Sequence, residues 1–166
     1  LLNDSKYGCS CAENVLSLSL LKAATYPDPT ADRGRHTFAY ALFPHAGPVG
    51  TATVREGYLF NLPLAAIPVA PHAGDLPARF ALVDVEDDAL VPETIKPAED
   101  GRGCILRLFE PLDRRTVARL RFARPVRSVT LCDLLENDRT ALPVEDDTVT
   151  LTAHNYEILT LRVLFA

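Results

Sequence analysis

Hydrophobic and polar positions alternate along most of this chain with a period of two, which is the pattern of half-buried β-strands. In the stretch 116–123, for example, apolar side chains alternate with Arg119 and Arg121. One face of such a strand is expected to pack in a core while the other face carries the cations in water. The same reasoning predicts strands over residues 14–21, 36–43, 79–85, 90–96, 103–110, 116–123, 126–132, 148–152 and 156–165.

The alternation also predicts which side chains are buried in individual strands. In the stretch 14–21, leucines at every second position are expected to form the buried face of a half-buried strand. Phe38 and Tyr40 are expected on the buried side of the second strand for the same reason. In the last strand, Thr160 and Arg162 fall on the face opposite the leucines.

Helical periodicity is confined to residues 53–61, where Val54 and Tyr58 are spaced for one face of a helix of about two turns. The stretch from Pro63 to Pro77 has the weakest pattern and is expected to be an exposed connection. Many short strands with so little helix predict an all-β fold, an antiparallel β-sandwich with at most one or two short helices. We expect a single domain over residues 1–166.

Composition and charge exclude several classes of function. The 166 residues are 48% hydrophobic and 23% charged, which is the balance of a soluble globular domain. A net charge of −5 argues against nucleic acid and anionic membranes as partners, because the average field repels both. The sequence lacks a run of about 18 apolar residues and a basic-then-apolar leader, so neither a membrane span nor a signal peptide is expected.

The chain begins at Leu1 and contains no methionine, so we expect it to be a piece of a longer protein. Its four cysteines favour a reduced, cytoplasmic compartment over a disulfide scaffold. Cys9 and Cys11 could form half of a metal site, although no second pair follows at a finger-like spacing. Alternatively they are two small side chains on one face of a strand. Three of the four histidines could converge on zinc, but nothing in their spacing suggests it, and positions on the surface or in loops are favoured. The histidines are His36, His45, His72 and His154.

Two polar loops are the strongest candidates for binding, because binding residues are often carried on loops held by a rigid scaffold. The first, at residues 3–8, combines an amide, an acid, a base and a phenol. The second, at residues 28–36, carries Asp32 and Arg33 between a proline and a glycine. A guanidinium beside a carboxylate suits sugar hydroxyls or another carboxylate. The alternative is that these two side chains only shape a turn and meet solvent.

At these loops the sequence resembles a known family. Taken together and in order, several runs of residues are similar to the C-terminal β-region of glycoside hydrolase family 38 α-mannosidases, most closely to the cytosolic-type branch. The resemblance extends from one end of the chain to the other. The runs that carry it are Leu1–Gly8, Leu16–Leu21, Tyr26–Pro29, Ala31–His36, Phe38–His45, Glu93–Lys96, Leu106–Glu110, Leu131–Glu136 and Glu157–Leu161.

The resemblance implies a retaining glycosidase that acts on α-linked mannose with one zinc ion, an aspartate nucleophile and an aspartate acid/base. In the family these groups belong to an N-terminal catalytic domain, so no catalytic residue and no metal ligand is carried over to this chain. We therefore expect no cofactor here and zinc in the missing catalytic domain. The isolated chain is expected to be inactive.

The resemblance also implies that the Asp32-Arg33-Gly34 turn reaches the rim of the sugar pocket. Arg33 is the candidate for contacting substrate hydroxyls or orienting an active-site carboxylate, with Asp32 beside it. The expected partners are the enzyme's own catalytic domain and, through it, a mannoside, with a homo-oligomer as a further possibility. An exposed apolar patch is expected where the catalytic domain would pack. The alternatives are an independent carbohydrate-binding module, which the scarcity of aromatic residues disfavours, and a purely structural sandwich.

Overall fold

A computed structural model describes residues 1–75, 77–86 and 90–166. The chain divides into two compact units, an N-terminal unit, Leu1–Ile67, and a C-terminal unit, Pro68–Ala166. The N-terminal unit holds two small antiparallel sheets, in which β1 pairs with β4 and β2 pairs with β3, and the one helix of the described residues. Its elements are β1 (Leu2–Asn3), β2 (Cys9–Ala12), β3 (Val15–Leu18), β4 (Tyr40–Ala41) and α1 (Thr51–Asn61).

The predicted burial in the N-terminal unit is wrong. Residues 1–67 are all described, and none of their side chains is fully buried. Leu16 and Leu20 are 49% and 37% exposed, and Tyr40 is 55% exposed. The predicted strands are also shorter, because only β3 and β4 form within them. Alternation selects the face of a strand that can be buried, but within this unit no second layer covers that face.

The C-terminal unit contains two antiparallel sheets that share one hydrophobic core. One sheet has the strand order β10-β9-β12-β7-β6 and the other has the order β11-β8-β5. Leu108 and Leu161 enter the core from the larger sheet and Leu120 from the smaller one. The predicted all-β antiparallel sandwich with one short helix is therefore confirmed. The strands are β5 (Val83–Val85), β6 (Val91–Pro97), β7 (Cys104–Phe109), β8 (Thr116–Phe122), β9 (Val126–Cys132), β10 (Asp138–Leu142), β11 (Thr148–Ala153) and β12 (Ile158–Phe165).

Strand β8 shows the predicted alternation. Ala118, Leu120 and Phe122 are buried, whereas Arg119 and Arg121 are exposed. The pattern works here because β8 is the middle strand of a sheet whose one face lies on the core and whose other face meets solvent.

Strand β12 departs from its prediction, because both of its faces are buried. Thr160 is 1% exposed and Arg162 is 4% exposed, although both lie opposite the core leucines. The strand runs between β9 and β7 in the middle of the larger sheet. Its second face is covered by the loops that precede β7 and β10, which bond to Arg162. The alternating pattern of β12 therefore does not indicate that its polar face is exposed to solvent.

Strand β10 was not predicted. It begins with Asp138, Arg139 and Thr140, which resemble a polar loop in the sequence. The strand forms at the edge of the larger sheet by pairing with β9, with a bulge near its start. Most of its residues are exposed, so the hydrophobic pattern that reveals a half-buried strand is missing.

Two further predictions are confirmed within the described residues. Residues 63–75 form an irregular, exposed connection, and Leu76 lies outside the described residues. The predicted helix exists as α1, and it ends at Asn61, shortly before Pro63. Nowhere in the described part of the chain is there a helix of the length and apolar character needed to cross a membrane.

Candidate functional site

The second polar loop is held in shape by its own first residues. The Asp28 carboxylate accepts hydrogen bonds from the backbone N–H and the hydroxyl of Thr30, both at 2.8 Å. These two bonds lower the pKa of Asp28. The N–H of Ala31 donates to the Asp28 carbonyl at 3.2 Å, and the N–H of Arg33 donates to the Thr30 carbonyl at 3.1 Å. The backbone leading into Arg33 is therefore fixed by local turns.

Asp32 and Arg33 themselves extend from this loop into solvent. Asp32 has a φ of 59°, in the left-handed region that short polar residues tolerate. Its carbonyl oxygen lies 2.8 Å from Nε2 of His36. Both side chains are exposed, and neither has a hydrogen-bond or ion-pair partner among the described residues. The guanidinium of Arg33 therefore keeps its N–H donors free for oxygen atoms of another molecule.

The first polar loop, residues 3–8, contacts residues 38 and 39, which follow the second polar loop. The N–H of Asp4 donates to the Ala39 carbonyl at 3.2 Å, and Oδ2 of Asp4 accepts from the Ala39 N–H at 2.9 Å. Nζ of Lys6 lies 5.1 Å from the centre of the Phe38 ring, a cation–π contact. The two loops singled out from the sequence are thus linked through residues 38 and 39.

The candidate metal-binding residues are not brought together. All four histidines are exposed. Cys9 and Cys11 lie two positions apart on β2, and both thiols are free and exposed. They occupy one face of a strand, as the second interpretation of this pair requires. In the ranges 1–75, 77–86 and 90–166, no group of three or more His, Cys, Asp or Glu side chains is placed to hold a metal ion.

Sequence reasoning missed a cluster centred on Arg162 in the C-terminal unit. Nε of Arg162 donates to Oδ1 of Asp138 at 2.7 Å, and Nη1 donates to Oδ1 of Asp100 at 2.8 Å. The same Nη1 also donates to the Arg102 carbonyl at 2.9 Å, and Nη2 donates to the Glu136 carbonyl at 2.8 Å. One buried guanidinium therefore fastens the loops before β7 and β10 to the larger sheet.

Hydrogen bonding keeps the carboxylates of this cluster ionised. The backbone N–H of Arg102, helped by the guanidinium groups of Arg102 and Arg162, lowers the pKa of Asp100 to about 2. The hydrogen bond from Arg162 likewise lowers the pKa of Asp138. Burial would lower the pKa of Arg162, but its bonds to Asp138 and Asp100 outweigh burial and raise it. The cluster is therefore fully charged at neutral pH.

The cluster borders an open polar depression of about 480 Å³, which Glu99, Asn137 and Leu135 also line. Arg162 has four acceptors within the protein, so its guanidinium is committed to holding loops. We therefore assign it a structural role. A signal for it does exist in the sequence, because a single arginine interrupts an apolar strand, and a charge is retained there only when it is paired.

Comparison with known proteins places this chain among glycosidase sequences. Residues 89–161 match the family model described as "Glycosyl hydrolases family 38 C-terminal beta sandwich domain". Residues 1–30 match the model described as "Glycosyl hydrolases family 38 C-terminal domain". The two models thus match separate parts of the chain, the first in the C-terminal unit and the second in the N-terminal unit.

Similar proteins from animals and an amoeba cover nearly the whole chain. It is 42% identical to Alpha-mannosidase 2C1 of Mus musculus and 41% identical to Alpha-mannosidase 2C1 of Homo sapiens, in both cases over 99% of its length. It is 31% identical over 99% of its length to Alpha-mannosidase G of Dictyostelium discoideum. The chain spans 16% of the length of each of these relatives.

Proposed function

The chain belongs to glycoside hydrolase family 38, within the C-terminal β-region of its α-mannosidases, and on this premise we propose that it is the non-catalytic C-terminal part of a retaining, zinc-dependent α-mannosidase. The whole enzyme would hydrolyse terminal α-linked mannose. The observation that carries the proposal is the 42% identity over 99% of this chain to a protein named Alpha-mannosidase 2C1. The chain spans only 16% of that relative, which leaves room for a catalytic domain elsewhere in the enzyme.

In this proposal the reacting groups lie outside the chain. A retaining glycosidase needs two carboxyl groups about 5 to 5.5 Å apart across the sugar. The residues described here do not fit a zinc site, since no three candidate ligands come together among them. We therefore assign no step of the reaction and no zinc ligand to this chain. Its contribution is to support the catalytic domain and to complete the rim of the sugar pocket.

The N-terminal unit is proposed to pack on the catalytic domain. Support comes from its burial, because none of the residues 1–67 is fully buried and several large apolar side chains are exposed. Burying apolar surface contributes about 25 cal/mol for each Å² removed from water, so a partner surface would stabilise this unit substantially. The exposed aliphatic and aromatic side chains that lie in strands are Val15 and Leu16 in β3 and Tyr40 in β4, and Leu42 follows β4 directly.

Arg33 is proposed to contact substrate hydroxyls or to orient an active-site carboxylate. Two features support this role. The backbone before Arg33 is fixed by turns, and its guanidinium has no partner among the described residues. An unpaired guanidinium on a backbone held by turns can make bidentate bonds to oxygen atoms without first breaking bonds within the protein.

The test of this role compares two neighbouring arginines in the full-length enzyme. Arg35 belongs to the same exposed loop and, like Arg33, has no partner among the described residues. We expect Arg33→Ala to lower kcat/KM for an aryl α-mannoside by at least about tenfold, which corresponds to about 1.4 kcal/mol of transition-state stabilisation. Arg35→Ala should stay within about twofold of the wild type. Equal kcat/KM values for the two variants would contradict the proposed role of Arg33 in the sugar pocket.

The proposal that this chain is non-catalytic has its own test. The isolated 166-residue chain is expected to show no hydrolysis of an aryl α-mannoside when zinc is added. A positioned loop cannot replace the many kcal/mol that paired carboxyl groups and a metal supply to such a reaction. Turnover by the purified chain would refute the non-catalytic assignment. Micromolar binding of mannose or mannobiose to the chain alone would instead favour an independent carbohydrate-binding module.

We also propose that the enzyme works in the cytoplasm. All four cysteines are free thiols, and Cys9 and Cys11 are exposed, which suits a reducing compartment. Fractionation of cells that express the full-length enzyme would test the assignment, since activity in a secreted or vesicular fraction contradicts it.

A further inference from the structure

Two adjacent leucines in the loop before β10 extend from the C-terminal unit. Leu134 is 58% exposed and Leu135 is 84% exposed. Residues 90–166 are all described, and Leu135 is the most exposed of their large hydrophobic side chains. A single exposed leucine is ordinary, but two in succession on one loop form a small apolar projection.

The backbone under this projection is held from one side by Asp133. Its carboxylate accepts hydrogen bonds from the backbone N–H groups of Leu135 at 2.9 Å and Asn137 at 3.0 Å. It also accepts from Nδ2 of Asn137 at 3.0 Å and from Nη2 of Arg139 at 2.8 Å. One carboxylate thus closes the turn around the two leucines.

From the other side the loop is held by Glu136, which is 7% exposed and has a φ of 66°. Its carboxylate accepts from Nζ of Lys96 at 2.7 Å and from the backbone N–H of Glu99 at 2.8 Å. The carbonyl of Leu134 accepts from Nη2 of Arg107 at 2.9 Å. The leucines are therefore presented by a loop that is bonded to the sheet on both sides.

Such a loop suits an interface contact. An apolar side chain on a backbone that is already ordered loses less conformational entropy when it docks than one on a disordered loop. We propose that Leu134 and Leu135 form a docking contact that inserts into an apolar recess on the part of the same enzyme that lies outside this chain. This inference rests on the proposed function, because it requires a larger enzyme around the C-terminal unit.

The size of the contact favours a covalently linked partner over a second copy. Two leucine side chains supply only a fraction of the roughly 1,000 Å² that a stable interface between separate molecules buries. A partner on the same polypeptide needs much less area, because linkage raises the effective concentration of the two surfaces to the millimolar range. The chain spans 16% of its relatives, so most of the enzyme's surface belongs to the remaining part.

Carbene labelling of the two leucines tests the contact directly. The wild-type full-length enzyme and the wild-type 166-residue chain are labelled under the same conditions, and labelling is read from the peptide that contains residues 133–137. We expect at least fivefold less labelling in the full-length enzyme. Val117, which is 64% exposed on β8, is the internal control for general accessibility. Equal labelling of the leucines in the two proteins would overturn the proposal.

A double variant supplies the second measurement. Leu134→Ser combined with Leu135→Ser should lower the temperature at which the full-length enzyme loses activity by several degrees, while Val117→Ser leaves it unchanged. In the isolated chain the double variant should unfold within about one degree of the wild type. Destabilisation of the isolated chain, or a wild-type chain dimer that the double variant abolishes, would contradict docking within one enzyme. Absence of α-mannosidase activity in the wild-type full-length enzyme would refute the proposed function and leave the labelling result standing.

Discussion

Gly103 lies against the carbonyl group of Val163 so closely that a side chain cannot fit between them. A Cβ atom on Gly103 would overlap the Val163 carbonyl oxygen and Cδ2 of Leu164. Gly103 has a φ of 76°, in the left-handed region. Its own carbonyl accepts from the N–H of Ala98 at 3.0 Å. The loop before β7 therefore turns back onto β12 at a point where only glycine satisfies both the backbone and the space.

Replacing Gly103 by alanine is expected to destabilise the C-terminal unit by about 3 kcal/mol. The left-handed backbone costs about 1 kcal/mol and the overlap adds about 1 to 3 kcal/mol. Gly101 is a matched control, since it has the same φ of 76° and nothing within 4 Å of its Cβ position. Gly101→Ala should cost only about 1 kcal/mol. Urea unfolding of both variants measures the difference, and equal losses would show that the close approach is absent.

Removing the guanidinium of Arg162 is expected to cost about 3 kcal/mol. In Arg162→Met, two carboxylates and two carbonyls lose their donor, and breaking a buried ion pair typically costs about 3 to 5 kcal/mol. The low end applies because Asp100 and Asp138 are about 40% exposed. The control is Arg121→Met, because that side chain is 65% exposed and lies 3.4 Å from Asp84. It should change the free energy of unfolding by about 0.5 kcal/mol or less.

Acid is expected to destabilise the same cluster. Folding lowers the pKa of Asp100 to about 2 and also lowers that of Asp138, so the unfolded chain binds protons at a higher pH than the folded chain. Their contribution to stability is therefore complete above about pH 5 and declines as the pH falls from about 4, the unfolded pKa of aspartate, towards 2. Urea midpoints at pH 7, 4 and 3 measure this decline. In Asp100→Asn the urea midpoint should fall less between pH 7 and pH 3 than in the wild type. A fall identical to that of the wild type would assign the effect to other carboxyl groups.

Glu110→Gln is expected to destabilise the C-terminal unit by about 2 kcal/mol. Glu110 is 1% exposed, and its carboxylate accepts from the backbone N–H groups of Leu112, Arg114 and Tyr156 at 2.9 to 3.2 Å. Burial raises the pKa of Glu110, but these N–H groups outweigh it and lower the pKa. Glutamine offers one oxygen in place of two and turns an NH₂ group towards N–H donors.

Glu93 is the control for that substitution. It is exposed, and its carboxylate accepts only from the Thr94 hydroxyl, at 2.7 Å, among the described contacts. Glu93→Gln should therefore unfold like the wild type in urea. A Glu110→Gln variant as stable as Glu93→Gln would show that the buried carboxylate is not needed as an acceptor.

The sequence predicted the strands of the C-terminal unit best where local pattern and tertiary surroundings agree. Strand β8 alternates in the sequence and in burial because one of its faces meets water. Strand β12 alternates in the sequence but is buried on both faces, because loops distant in the chain cover its polar side. Strand β10 has no alternating pattern to detect, because most residues of this edge strand are exposed and do not need to be hydrophobic.

The candidate site was accessible to sequence reasoning only in part. Asp32 and Arg33 were identified from turn chemistry and from the family resemblance, and their role in the pocket stays a prediction. The cluster around Arg162 could be suspected from one charge in an apolar strand, but its partners could not be named. Asp100 and Asp138 lie 62 and 24 residues away in sequence, and no spacing rule connects them.

The lack of fully buried side chains in residues 1–67 changes how variants in this part of the chain are to be interpreted. In the C-terminal unit, a substitution in the core can be judged from its own neighbours, since the two sheets share one hydrophobic core there. Before residue 68, solvent accessibility in this chain is a poor guide to tolerance. If the N-terminal unit packs on a catalytic domain, as proposed, a leucine that is exposed in β3 becomes buried in the full-length protein, and its replacement is expected to be costly.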